Sequence, residues 1–285
     1  MKSKSEIVDA TDSLNTGRSI DPRFSFNFLR FFKNIIHKYI AIFVFLLLWQ
    51  ILPTLGLVNP VYIPTPTVIA STMWQLTLNG TLPTDVAVSL SRVLAGFGLA
   101  LLVALPLGFL LGGFFRNFEK AVNPLLQVLG QANPFTLLPV FIVFLGIGEL
   151  SKIAIIFWVT QWPVLFNTVT GIKNVDPVLV KVARTAGLGK FDVFRKVLIP
   201  ASLPTVFTGI RMGAIFAFFM LIGAEMIGST SGLGFLIMES QMVMEIPNMW
   251  AGIVTVALLG LLLNYTILFI EKRLTSWKQE TISFI

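Results

Sequence analysis

From residue 39 onward the chain alternates long apolar runs with short polar or proline-containing breaks. Five runs, 39–55, 86–115, 153–170, 206–222 and 250–270, are about as long as a helix needs to cross a hydrocarbon core. A further apolar region, 121–147, is interrupted at Asn123-Pro124 and Asn133-Pro134, and counting it once gives six spans. Two segments between spans, 68–78 and 234–244, read as helices too short to cross. Ahead of the first span, Phe24, Phe28, Phe31 and Ile35 are interleaved with Arg30, Lys33 and Lys38. That pattern predicts an amphipathic helix lying in the membrane interface, or a plain cytoplasmic extension of the first span. The predicted fold is an all-α polytopic membrane protein with six transmembrane helices. Its expected parts are a cytoplasmic tail and interfacial helix (1–38), a transmembrane domain (39–273) and a C-terminal cytoplasmic tail (274–285).

Composition narrows the class. Hydrophobic residues make up 55% of the chain and charged ones 12%, about half the charged share of a soluble domain; mean hydropathy is +0.83. No cleavable signal peptide is expected, because the N-terminal stretch lacks a short apolar core with a small-residue cleavage site. With no cysteine and a single histidine, His37, disulfides, thiolate metal sites and histidine-based triads are excluded. No catalytic residue, metal ligand or bound cofactor is expected, and the phosphate-cradling G-x-x-x-x-G-K-[ST] pattern is missing.

The longest interruption in the second half is 171–204, GIKNVDPVLVKVARTAGLGKFDVFRKVLIPASLP. Asp176-Pro177 is a helix start, an Asp able to cap free N–H groups followed by a Pro suited to the first turn. Leu179, Val182, Ala183 and Ala186 recur at helical spacing, and Gly187 and Gly189 stop the run. A second amphipathic segment carries Phe191, Phe194 and Leu198. The stretch holds six bases (Lys173, Lys181, Arg184, Lys190, Arg195, Lys196) against Asp176 and Asp192. A folded basic helix-turn-helix between spans four and five reads as a docking device.

Charge placement sets the orientation. With a cytoplasmic N-terminus, 19 of the 21 basic residues fall on the inner side and only Arg92 and Lys152 on the outer side or its edge. Five acids, Asp85, Glu149, Glu225, Glu239 and Glu245, lie on the outer side. The net charge of +7 therefore matches an inner membrane surface and its lipid rather than nucleic acid. The expected location is a bacterial inner membrane with both termini cytoplasmic.

Polar residues inside the apolar runs are the candidates for a translocation path or gate. Gln127, Gln131, Asn133, Gln161 and Asn167 carry amides that are costly in hydrocarbon, so they face other helices or an aqueous path. Arg211 either snorkels to the inner interface, since a base at mid-bilayer costs roughly 2.5–3.5 kcal/mol, or belongs to an inner gate. Glu225 is either a solvated acid or a pore or gate residue. Trp158 and Trp162 fit packing or interfacial roles.

KVARTAGLGKFDVFRKVLIP (181–200) resembles the cytoplasmic loop signature of binding-protein-dependent ABC importer permeases, E-A-A-x-x-x-G-x(9)-I-x-L-P. Lys181-Val182-Ala183 stand at the E-A-A, Gly187 at the glycine, and Val197, Ile199 and Pro200 at the I-x-L-P. YIPTPTVI (62–69), LSRVLAGFGLALLVALPLG (90–108), FLGIGELSKIAII (144–156), WPVLFNTVTGIKNVDP (162–177) and GAEMIGSTSGLGFLI (223–237) are similar to the nitrate/sulfonate/taurine/bicarbonate group. The resemblance covers about residues 60–275. It implies that Asp176, Pro177, Lys181, Val182, Ala183, Arg184, Thr185, Ala186, Gly187 and Leu188 form a coupling helix docking on an ATPase. It further implies two permease copies, two partner ATPases that bind ATP and Mg, and an external binding protein delivering a small anion. Lys181, standing where an acid is commonest, predicts a more acidic ATPase groove. An ion-coupled carrier or a membrane scaffold recruiting a soluble partner are the alternatives.

Overall fold

The computed structural model describes residues 40–275, all of whose regular structure is helical. The predicted polar tail, interfacial helix and most of the C-terminal tail lie outside the described residues. Two compact units are present, divided after Pro60. The first contributes one apolar helix, α1 (Ile40–Thr54).

The second unit holds α2 (Pro66–Leu78), α3 (Thr81–Gly113), α4 (Arg116–Gly130), α5 (Pro134–Leu145), α6 (Glu149–Lys173), α7 (Pro177–Thr185), α8 (Lys190–Val193), α9 (Ile199–Gly228), α10 (Leu233–Met242) and α11 (Ile246–Leu274). Among the described residues, α3, α6, the rod from Lys190 through α9, and α11 are each long and apolar enough to cross a membrane. The α4–α5 pair would make a fifth span, bent by 89° at its break. At 1.5 Å per residue α3 is about 50 Å long against a core of about 30 Å, so part of it projects beyond the hydrocarbon.

Helix α6 is the centre of the packing, with α3 on one side and α9 on the other. In lipid, helices associate through close van der Waals contact between small residues, and α3 supplies these at every fourth position: Gly96, Ala100, Ala104, Gly108 and Gly112 are all buried. A Cβ on Gly96 would lie 2.6 Å from Ile156 Cγ2, one on Gly108 2.6 Å from Thr168 Cβ, and one on Gly112 3.1 Å from Ile172 Cβ. Each pair is 60 residues apart, so α3 and α6 run parallel. Gly209 and Gly213 of α9 likewise face Asn167 and Val164 of α6, while Gly171 of α6 faces Ser202 and Thr205. That order makes α9 antiparallel to α6.

The prolines inside the apolar runs resolve differently. Pro124 lies inside α4 and Pro163 inside α6, so neither interrupts its helix. In α6 the turn after the proline is reinforced by Asn167, whose amide donates to the Pro163 carbonyl at 2.8 Å. Only 131–133 separates two helices, because the Asn133 side chain caps α5 by accepting from Phe135 N at 2.9 Å, with Pro134 next in line. Pro200 lies in the first turn of α9 and Pro204 inside that helix. The step from α8 is a π-helical turn, Phe194–Leu198, in which Ile199 N–H reaches back to Phe194 O.

Candidate coupling and translocation sites

The 171–204 stretch folds largely as the sequence predicts. Asp176 Oδ1 accepts from Val178 N at 2.8 Å and Pro177 opens α7. At the other end Gly187 has φ +83°, a left-handed conformation that favours glycine. Leu188 N bonds to Ala183 O (3.1 Å) and Gly187 N to Arg184 O (3.0 Å), the paired bonds of a Schellman cap. Thr185 Oγ1 returns to Lys181 O, and Ala186 is the C-cap. Val180, Ala183 and Leu188 turn inward onto a cluster with Ile172, Val175, Val193 and Leu198. Val178, Leu179 and Val182 face outward and are exposed, Val182 at 62%. So α7 is a short, doubly capped helix with one apolar face anchored on the bundle and a second apolar face uncovered within this chain.

At the opposite end of α3, α6 and α9 lies a charge cluster centred on the buried Arg92 and Glu225, with Glu149 exposed at its rim. Arg92 is 3% exposed; its Nε and Nη2 donate to the two oxygens of Glu149 at 2.5 and 2.6 Å, and its Nη1 to Glu225 Oε1 at 2.8 Å and the Ser231 carbonyl at 2.8 Å. Glu225 is fully buried and also accepts from Ser89 Oγ (2.8 and 2.9 Å) and Gly234 N (2.8 Å). Leu233 N donates to Ser89 Oγ and Gly232 N to Asp85 Oδ1. Lys152 Nζ approaches Glu149 at 3.4 Å. Free N–H groups at the start of α10 are thus met by Asp85, Ser89 and Glu225, an arrangement the helix dipole favours. Gly232, at φ +112°, leaves no room for a side chain, because a Cβ there would lie 2.5 Å from Glu225 Oε1. The cluster ties α3, α6, α9 and α10 together.

This corrects the solvated-acid alternative for Glu225. From sequence Arg92, Asp85, Glu149 and Lys152 are scattered outer-side charges, and Ser89 does not stand out. A signal was available: Arg92 continues the four-residue stripe that runs down α3 from Gly96 to Gly112, and Asp85, Ser89 and Val93 form the ridge beside it.

The polar candidates divide. Gln127 and Gln131 line a cavity of about 330 Å³ between α4 and α6, together with Glu119, Asn123 and Lys173. There Lys173 Nζ meets the buried Glu119 at 2.5 Å, Glu119 accepts from Asn123 at 2.8 Å, and Gln127 donates to Asn123 at 2.6 Å. Gln131 and Asn133 also border a second cavity, about 440 Å³, walled by Phe135, Trp158, Trp162, Phe216 and Phe219. The indole N–H groups of Trp158 and Trp162 are buried without a partner. Gln161 and Asn167 line neither cavity; Asn167 packs against Gly209. Arg211 stands 4.0 Å from Glu271 of α11, away from both. Among the described residues, no group of three or more His, Asp or Glu is placed to hold a metal ion.

The family model described as "Binding-protein-dependent transport system inner membrane component" matches residues 104–276. The "Putative aliphatic sulfonates transport permease protein SsuC" of Bacillus subtilis is 34% identical over 237 residues, covering 83% of this chain and 86% of the relative. The "Nitrate import permease protein NrtB" of a Synechocystis species is 32% identical, covering 86% and 91%. The chain belongs to the ABC importer permeases. A solved structure titled as an inward-facing conformation of the MetNI methionine ABC transporter shares the fold of this permease, with a TM-score of 0.56 at 18% identity, over 72% of this chain and 99% of that one. Family membership makes the chain a non-catalytic, multi-pass inner-membrane subunit, in keeping with its helices.

Proposed function

We propose that this permease crosses the membrane six times, pairs with a second copy, and couples through α7 to two ATPases while an external binding protein delivers the solute. The observation that carries the coupling reading is the uncovered apolar face of α7, held at a fixed angle by two caps and an inward-facing cluster. The ATPase binds and hydrolyses ATP with its Mg, and its closure pulls on α7. The solute class is a small organic or inorganic anion such as a sulfonate, taurine, nitrate or bicarbonate, a reading supported by the substrates named for relatives in Bacillus subtilis and Synechocystis. The direction of the chain supports the six-span count. The basic end of α3 and α6, at Arg116 and Lys173, belongs on the cytoplasmic side, the Arg92 cluster outside, and both termini inside.

In this reading Gln127, Gln131 and Asn133 border the path, which lies along the α4–α5 side of α6. Asn167 instead packs on the α9 side of α6, against Gly209, and Gln161 borders neither cavity. Arg211 joins α9 to α11 near the inner surface, and Glu225 holds the outer ends of the helices together. The domain boundaries follow from the same assignment: tail and interfacial helix to 38, membrane domain 39–273, C-terminal tail beyond.

The test is reconstitution. The permease, expressed with its ATPase and binding protein, is expected to yield a complex whose ATP hydrolysis in liposomes rises with the transported anion. Uptake driven by an ion gradient without the ATPase would sink the proposal. The chain has no cysteine, so single cysteines placed in each loop report topology by labelling from either side.

A further inference from the structure

Beside α7 lies a cavity of about 580 Å³, and its wall is basic. Arg116 from the start of α4, Lys173 from the end of α6, Lys181 and Arg184 from α7, and Lys190 from α8 all line it, with no acid among the lining residues. Lys173 is balanced by Glu119. Among the described residues Lys181, Arg184 and Lys190 have no acidic partner, and Arg116 donates only to the Gly112 carbonyl. Between the bases the wall is apolar, formed by Phe114, Val175, Val180 and Phe194 among others. Phe114, Phe115 and Phe118, at the α3–α4 corner, are exposed, as aromatics at a membrane–water boundary are.

A space that is cationic at several points and apolar between them fits an amphipathic anion. A volume of about 580 Å³ exceeds what one inorganic phosphate fills and lies in the ordinary range for an organic ligand. We propose that this cavity binds the phosphate headgroup of an anionic phospholipid, a ligand class suited to basic pockets at the cytoplasmic ends of membrane helices. The lipid phosphate meets Lys181, Arg184 and Lys190, and its glycerol and first methylenes lie on Phe114 and Phe194. Lys181 takes on a role different from the one its position predicted. It faces a cavity bounded by this chain, on a side of α7 distinct from the exposed Val178–Val182 face. Bound lipid would brace α7 against α3 and α6 and make docking sensitive to membrane charge. The inference rests on the proposed cytoplasmic placement of α7.

The experiment is native mass spectrometry of the full permease without its ATPase, titrated with cardiolipin, phosphatidylglycerol or phosphatidylcholine. The two anionic lipids are expected to stay bound and phosphatidylcholine to be lost. Each cation near an anionic surface contributes about fivefold, so K181Q/R184Q is expected to weaken retention roughly 25-fold. Equal retention of all three lipids, or unchanged retention in K181Q/R184Q, overturns the proposal. So does displacement of the lipid by inorganic phosphate at equal concentration, which would mark a site for free anions. A V182D variant separates the two readings. It should lose ATPase co-purification while keeping lipid, and normal co-purification would sink the docking face and leave the lipid site standing.

Discussion

Replacing Arg92 tests whether the outer cluster acts as a unit. In R92Q, Glu225 keeps its bonds from Ser89 and Gly234 but loses its cationic partner while fully buried. Removing one member of a buried pair costs roughly 3–5 kcal/mol. The two retained hydrogen bonds place the expected loss near the lower end, about 3 kcal/mol. E225Q is milder, about 1.5–2 kcal/mol, because Arg92 still holds Glu149 bidentately and a neutral amide occupies the same space. The double variant removes the uncompensated charge as well as the pair. It is therefore expected to be more stable than the sum of the singles predicts, by about 1–2 kcal/mol. Unfolding in mixed detergent–SDS micelles, followed by tryptophan fluorescence, measures all four corners of the cycle. If the double loss equals the sum within about 0.5 kcal/mol, Arg92 and Glu225 do not depend on each other and the clamp reasoning is wrong.

Close helix contact gives a second test. G209V places a side chain where even a Cβ would lie 2.6 Å from Asn167 Cβ and 2.8 Å from the Pro163 carbonyl. It should cost at least 2–3 kcal/mol or abolish folded expression, whereas G98A, with open space around it, should match wild type in the same assay. For the α7 caps, D176A is expected to lose about 1 kcal/mol of local stability. G187V forces a β-branched residue to φ +83° at about 1–3 kcal/mol. Both should lower ATPase co-purification without changing permease yield. K173M leaves Glu119, 2% exposed, without its cation. A loss of about 2 kcal/mol is expected in the micelle assay, below the fully buried range because Lys173 is one-third exposed.

Local rules made much of this permease legible. Capping chemistry located both ends of α7, from Asp176-Pro177 to Gly187, and apolar run length located α3, α6, α9 and α11. Proline was the poorer guide. Pro124 and Pro163 sit inside helices, where a missing N–H costs one bond that neighbouring groups offset, whereas Asn133-Pro134 pairs a proline with a capping side chain and does end one. The charge cluster escaped because its members come from 85, 92, 149 and 225, and nothing local brings them together. Hydropathy treats Arg92 as an outer-side charge. Only the packing of α3 on α6, and the fold of α10 back toward α9, makes it a buried partner of Glu225.

The packing also says where movement can and cannot occur. In α3, α6 and α9, small residues bring helix surfaces within direct contact along most of their lengths, and the Arg92 cluster joins their far ends. A layer so constructed resists internal sliding, since each displacement would drive Ile156, Thr168 or Asn167 into backbone. Helix α7 is tied to it by the three residues after Lys173 and by the rod that begins at Lys190. On the proposed coupling, a pull on α7 therefore moves the layer as one body. Helices α4 and α5 differ: each buries a single residue, Glu119 and Leu138, and they meet at an 89° bend. Both cavities that Gln131 borders open along this weakly held side. Relative motion between the rigid layer and the α4–α5 bend is thus the least costly way to change access to those cavities. Cross-linking Gln131 to Phe166 of α6, which lines the same cavity of about 330 Å³, through paired cysteines should arrest transport while leaving ATPase assembly intact.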